Sequence, residues 1–151
     1  MQPITPCLWF DNEAEEAANY YISVFPNSRI VEVVPYNAET PSNKPIGSTL
    51  LVNFEISGQP FTALNGGPFF KLSEAVSFQI FCKDQAEIDS YWEKLSAIPE
   101  SEQCGWCKDK FGVSWQIVPE NIGDLVKGER GMKAMLSMKK ISIRDLEDAA
   151  K

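Results

Sequence analysis

The chain has 151 residues, enough for one domain with its own core, and carries 14 basic against 21 acidic residues, a net charge of −7. That acidic balance, without long lysine clusters, argues against binding phosphate backbones or anionic membrane, and no apolar run approaches the ~20 residues of a membrane helix. Histidine is absent, which removes the commonest metal ligand and neutral-pH base and excludes Ser–His and Cys–His triads.

The N-terminal MQPITPCLWFD has neither the basic start nor the long apolar stretch of a signal peptide, so a cytoplasmic location is expected. PITPCLWF (3–10) reads as a first strand. Asp11 or Asn12 then caps a helix in which Ala14, Ala17, Ala18, Tyr21 and Val24 form an apolar face and Pro26 is the stop. SRIVEVVPY (28–36) is a strand, and residues 37–47, rich in Pro, Asn and Thr, predict a mobile loop. STLLVNFEI (48–56) and QPFTALN (59–65) form a hairpin closed by Ser57-Gly58. After the linker GGPFFKLSE come the strand AVSFQIFC (75–82) and a helix opened by Asp84-x-x-Glu87, whose Ile88, Tyr91, Trp92 and Leu95 share a face. SEQCG and WCKD predict two short strands before GVSWQIVP (112–119). Strand, helix and three strands thus occur twice, over 3–66 and 75–119, followed by a helical tail over 120–151. The fold class is α+β: one domain, 1–151, of two βαβββ modules forming a curved mixed sheet, with C-terminal helices. The tail's Met132, Met135, Leu136 and Met138 suit packing on the sheet, a second subunit, or a lid over a pocket.

Side chains alternate along strands, so each strand offers two faces. Ile4, Pro6, Leu8 and Phe10, then Val76, Phe78, Ile80 and Cys82, then Val113, Trp115 and Ile117 are apolar throughout and belong under the helices. The opposite faces are mixed: Thr5, Cys7 and Trp9; Ser77, Gln79 and Phe81; Ser114, Gln116 and Val118. Phe61, Ala63 and Asn65 are assigned to the mixed set as well. Amides, hydroxyls and aromatics on one face suit a small-molecule cleft. Trp9, Asn65, Ser77, Gln79, Trp106 and Gln116 are the ligand-binding candidates, though the amides could equally satisfy one another. Acid–base candidates are few: Glu55, Glu74 and Asp109, with Lys108 and Lys110 beside a turn.

The pair in CGWC (104–107) could suggest redox or zinc chemistry. A reactive C-x-x-C sits at a helix N-terminus, whereas KDKFGVSWQIVP follows here, a turn and a strand. A structural zinc needs four ligands, and Cys7 and Cys82 fall on opposite faces by strand parity. The expectation is two cysteines on or beside a short strand, with Gly105 allowing close approach.

Three stretches, ITPCLWFDNEAEEAANYYISVFPNSRI (4–30), GQPFTALNGGPFFKLSEAVSFQIFCKDQAEIDSYWEKL (58–95) and CGWCKDKFGVSWQIVP (104–119), resemble the PhnB-like branch of the vicinal oxygen chelate superfamily, the glyoxalase/bleomycin-resistance fold; the tail AMLSMKKISIRDLEDA (134–149) is also similar. The resemblance implies paired βαβββ modules, a cleft in each and a homodimer. Metal-dependent relatives hold a divalent ion with four side chains, and their pattern falls here near Thr5, Ala63, Ser77 and Gln116, a set poor in metal donors. No metal or cofactor is therefore expected. The branch also carries the description 3-demethylubiquinone-9 3-methyltransferase, whose reaction ordinarily uses a glycine-rich turn in a doubly wound sheet, an order this chain lacks. The leading expectation is a metal-free binding protein or enzyme for a small molecule. Metal-dependent lyase, dioxygenase or thiol transferase, methyltransferase, and non-catalytic sequestering or interaction dimer are the alternatives, and whether the protein is an enzyme stays open.

Overall fold

A computed structural model describes residues 2–151, which fall into two compact units, one running to Leu72 and the other from Ser73. The first unit contains β1 (Cys7–Phe10), α1 (Ala14–Val24), β2 (Arg29–Pro35), β3 (Thr49–Ile56) and β4 (Gln59–Asn65). Its sheet has the order β1-β4-β3-β2, with β1 parallel to β4 and the other pairs antiparallel. The second unit contains β5 (Ser77–Cys82), α2 (Gln85–Leu95), β6 (Trp106–Lys108), β7 (Ser114–Pro119), α3 (Ile122–Leu125), α4 (Glu129–Leu136) and α5 (Ile143–Ala150). Its sheet has the order β5-β7-β6, with β5 parallel to β7.

The internal repeat is visible in matching hydrogen bonds. Gly66 N–H, just past β4, donates to Phe10 C=O at the end of β1 (2.9 Å). Glu120 N–H, just past β7, donates to Cys82 C=O at the end of β5 (2.8 Å). Each helix thus leaves its parallel strand at the same relative point and covers one face of its sheet.

In the first unit that face is built from Leu8, Phe10, Val52, Phe54, Phe61 and Ala63 beneath the alanine-rich side of α1. The small Ala14, Ala17 and Ala18 allow close approach, and Tyr21 stacks on Phe54 with ring centroids 6.3 Å apart. Burying an aromatic of this kind contributes about 2–3 kcal/mol. In the second unit Ile80, Cys82, Trp115 and Ile117 lie beneath Ile88 and Leu95 of α2.

Several local expectations are corrected. Ile4 and Val76 are 83% and 67% exposed, because sheet pairing begins only at Cys7 and Ser77. SEQCG makes no strand: Gln103 forms a single bridge to Trp106, so the second sheet has three strands. Residues 36–48 join β2 to β3 in the first unit, but in the second unit two residues suffice. Cys104 and Gly105, at φ 41° and 89°, complete the tight turn between Gln103 and Trp106. The 37–47 loop is tied down. Tyr36 Oη shares a hydrogen bond with Ser42 Oγ (2.8 Å) and donates to Asn65 C=O, and Lys44 pairs with Asp11 (2.9 Å).

The helix starts also differ. Asp84 caps α2 by accepting from Glu87 N–H (2.9 Å), as its spacing predicts, and Ser142 caps α5 by accepting from Asp145 N–H (3.3 Å). Neither Asp11 nor Asn12 caps α1. Its first N–H, from Ala14, donates instead to Asn65 Oδ1, 2.8 Å away on β4.

The tail docks within the second unit. Cys104 and Gly105 N–H donate to the carbonyls of Met138 (2.7 Å) and Lys139 (2.8 Å). The Gln85 amide on α2 donates to Ile141 C=O (2.9 Å) and accepts from Ile143 N–H (2.8 Å). Ile141 and Leu146 are fully buried, whereas Met132 and Leu136 face outward.

Candidate functional site

The helix-free face of the second sheet gathers most of the expected site residues. Parallel register sets Ser77 beside Ser114 and Gln79 beside Gln116, and antiparallel register sets Trp106 beside Gln116 and Lys108 beside Ser114. Because parity is conserved across a ladder, Ser77, Gln79, Trp106 and Gln116 share one face, as expected from the sequence. Gln116 Nε2 donates to Ser77 Oγ (2.9 Å). Gln79 is exposed, and Trp106 and Gln116 are half-buried. Ser114, on the same face, is 1% exposed, and its hydroxyl has no hydrogen-bond partner among the described residues. Its strand parity was readable, but nothing in the sequence marked it as more than one small polar residue among several.

Around this strip the charged candidates are already engaged. Glu74 pairs with Lys108 Nζ, which holds its carboxyl below the usual range. Asp109 is buried and organises the turn after β6. Its Oδ1 accepts from Phe111 N–H (2.8 Å) and Val113 N–H (3.1 Å), and its Oδ2 accepts from Trp115 Nε1–H (2.9 Å). A carboxylate that satisfies three donors is a loop organiser first. Lys110 lies over the Phe111 ring, 5.3 Å from its centroid.

In the first unit Asn65 is corrected. The ladder pairs Phe10 with Asn65 and Leu8 with Ala63, so Phe61, Ala63 and Asn65 lie on the helix-covered face. Asn65 is 4% exposed, and its amide is committed to Ala14 N–H and to Thr49 C=O (3.1 Å). Trp9 does lie on the open face, but its indole is held. Nε1–H donates to Gly67 C=O (2.9 Å), Phe70 packs edge-on at 4.9 Å, and the ring lies so close over Gly66 that a Cβ there would fall 2.4 Å from it. LNGGPFF is thus a brace: Asn65 caps α1, Gly66 admits the indole, and Gly67, at φ 96°, aims its carbonyl at the ring nitrogen.

The true open-face partners along β4 are Pro60, Thr62 and Leu64, opposite Glu55, Asn53 and Leu51. Thr62 Oγ1 donates to Asn53 Oδ1 (2.8 Å), and Asn53 Nδ2 reaches Glu32 Oε2 (3.4 Å). Arg29 pairs with Glu55 (3.1 Å), lowering that carboxyl and raising the guanidinium. Sequence reasoning missed Asn53, Thr62 and Glu32; alternation within 49–56 could have found Asn53 once β4 was set in register.

The positions matching the superfamily's metal ligands do not fit a divalent cation. Ala63 has no donor and lies under α1, Thr5, Ser77 and Gln116 are neutral, and the Gln116 amide nitrogen is turned to Ser77. Among the described residues no three Cys, Asp or Glu side chains come together as a metal site. The cysteines are free thiols. Burial and nearby carboxylates push Cys107 and Cys82 up to about 12, and burial raises Cys7 and Cys104. The C-x-x-C segment thus serves as a hairpin turn, with no helix N-terminus beside it to favour a thiolate.

No curated protein matches this sequence. Residues 2–118 match the family described as 3-demethylubiquinone-9 3-methyltransferase. A PhnB protein from Bacillus cereus, for which the same methyltransferase description is used, is 33% identical, with a TM-score of 0.64 over 78% of this chain and 99% of its own. Protein PA1353 from Pseudomonas aeruginosa, 17% identical, matches in fold, with a TM-score of 0.58 over 79% of this chain and 98% of its own. The family match ends before the helical tail begins. With its two βα-initiated units, each pairing the first strand parallel to the last, the chain belongs to the 3-demethylubiquinone-9 3-methyltransferase family, within the PhnB-like branch of the vicinal oxygen chelate superfamily and its glyoxalase/bleomycin-resistance fold.

Proposed function

We propose that the chain binds a small uncharged polar or aromatic molecule on the open face of the second sheet, without a divalent metal. The observation that carries this reading is the buried, unpartnered hydroxyl of Ser114 beside the Ser77–Gln116 pair. A buried hydroxyl left unpaired costs about 1–3 kcal/mol, and a ligand carbonyl or hydroxyl seated there removes that cost. Gln79 and Gln116 orient the ligand's polar groups, and the half-buried Trp106 supplies an apolar wall.

Methyl transfer, the activity in the family's description, draws less support from the residues. Gly66-Gly67-Pro68 follows a strand but opens no helix, and both glycines serve the Trp9 brace. A reducing, cytoplasmic setting suits four free thiols. A homodimer suits the unpaired edge of β5 and the exposed Phe81 on the open face of that strand, 55% accessible.

The test is a thermal-shift screen of neutral carbonyl and phenolic compounds in EDTA, with S-adenosylmethionine as a separate arm. A stabilising compound should lose about tenfold in affinity in Gln116→Ala and Gln79→Ala. Failure of every compound, equal binding by both variants, or binding that requires an added divalent ion refutes the reading. Saturable S-adenosylmethionine binding instead would favour the methyltransferase.

A further inference from the structure

The first unit carries a cavity of about 450 Å³ on its open face, lined by Thr5, Val31, Glu32, Asn53, Glu55 and Thr62, among others. Its volume is in the range that small ligands occupy. Its polar groups are ordered. Thr62 Oγ1 spends its proton on Asn53 Oδ1, and Asn53 Nδ2 points to Glu32 Oε2. The Thr62 oxygen is thereby left as an acceptor.

The two carboxylates of this cavity are not equivalent. Glu55 is matched by Arg29 through two N–H donors, at 3.1 and 3.2 Å. Glu32 has no cationic partner among the described residues, only the long amide contact from Asn53. Val31 and Pro60 supply apolar wall beside it. An acceptor-rich wall with one uncompensated negative charge selects a donor-rich cation. The net charge of −7 favours the approach of such a ligand.

We propose that this cavity is a binding site for a small organic ammonium ion, a primary amine on a short apolar body. The ammonium group donates to the Glu32 carboxylate and the Thr62 hydroxyl oxygen, while the body packs on Val31 and Pro60. The ion pair carries the selectivity, so a neutral isostere loses the charge-assisted hydrogen bond and an anionic one meets Glu32 directly.

Three isosteric probes test this: benzylamine, benzyl alcohol and benzoate, titrated against the full-length ¹⁵N-labelled protein by NMR. Benzylamine should shift the amides of residues 29–32, 53–55 and 60–62, and bind about tenfold more tightly than benzyl alcohol, with benzoate weaker still. Glu32→Gln, at an exposed position, should keep the folded spectrum and weaken benzylamine about fivefold. Equal affinity for amine and alcohol, undiminished amine binding by Glu32→Gln, or shifts confined to other residues would overturn the proposal. Shifts at Ser77, Ser114 and Gln116 would report on the second unit alone, so this site and the one proposed there succeed or fail separately.

Discussion

Asn65 shows how much one amide can hold. It accepts from the first N–H of α1 and donates to β3 at Thr49, while its own carbonyl receives the Tyr36 hydroxyl that anchors the 37–47 loop. Asn65→Ala should lower unfolding free energy by about 2–3 kcal/mol in urea titration, the sum of a lost cap and a carbonyl left without its donor. Asn65→Asp should also lose stability: it keeps the acceptor for Ala14 N–H but sets a buried carboxylate oxygen against the Thr49 carbonyl. If both variants unfold like the wild type, the cap assignment is wrong. Asp109 does the same within six residues of chain. Its three donors are all local, which is why DKFGVSW forms a fixed turn.

At the scale of elements, the tail depends on two small features of the second unit. The Cys104–Gly105 turn presents two N–H groups to Met138 and Lys139, and the Gln85 amide clamps Ile141 and Ile143. A Cβ at Gly105 would lie 3.1 Å from the Ile117 carbonyl and 3.2 Å from Ile141, so the turn and the tail leave little room for each other. Gln85→Ala should therefore free the segment around 137–143. Its amides should exchange with deuterium about tenfold faster, while those of β3 and β4 stay unchanged. Uniform acceleration throughout the chain would mean global destabilisation instead and would count against a local clamp.

For the molecule as a whole, the buried thiols set an alkaline limit. Cys82 and Cys107 titrate near 12 when folded, against an ordinary value of 9.0. A group whose folded pKa is raised contributes stability that is fully present below its unfolded pKa and lost as pH climbs toward the folded one. Unfolding free energy should thus fall between about pH 9 and 12, and the fall should flatten in Cys82→Ala/Cys107→Ala relative to its own neutral-pH value. An unchanged slope in the double variant would assign the alkaline loss to other groups.

The sequence by itself determined most elements, the strand-then-helix start of each unit and the helix-covered faces of β1, β5 and β7, because these follow from local periodicity and caps such as Asp84; at SEQCG it predicted one strand more than the fold contains. The resemblance, laid on the sequence, implied metal positions near Thr5, Ala63, Ser77 and Gln116, all neutral side chains. Tertiary structure alone decided the register of β4, since shifting a strand by one residue exchanges its two faces, and both faces, Phe61-Ala63-Asn65 and Pro60-Thr62-Leu64, mix apolar residues with one polar residue. That exchange moved Asn65 from the expected site to the α1 cap and brought Thr62, Asn53 and Glu32 together. The same holds for the C-x-x-C turn and for Ser114: what a cysteine pair or a serine does depends on which carbonyl, carboxylate or open space the folded chain sets opposite it, and those partners come from residues far along the sequence.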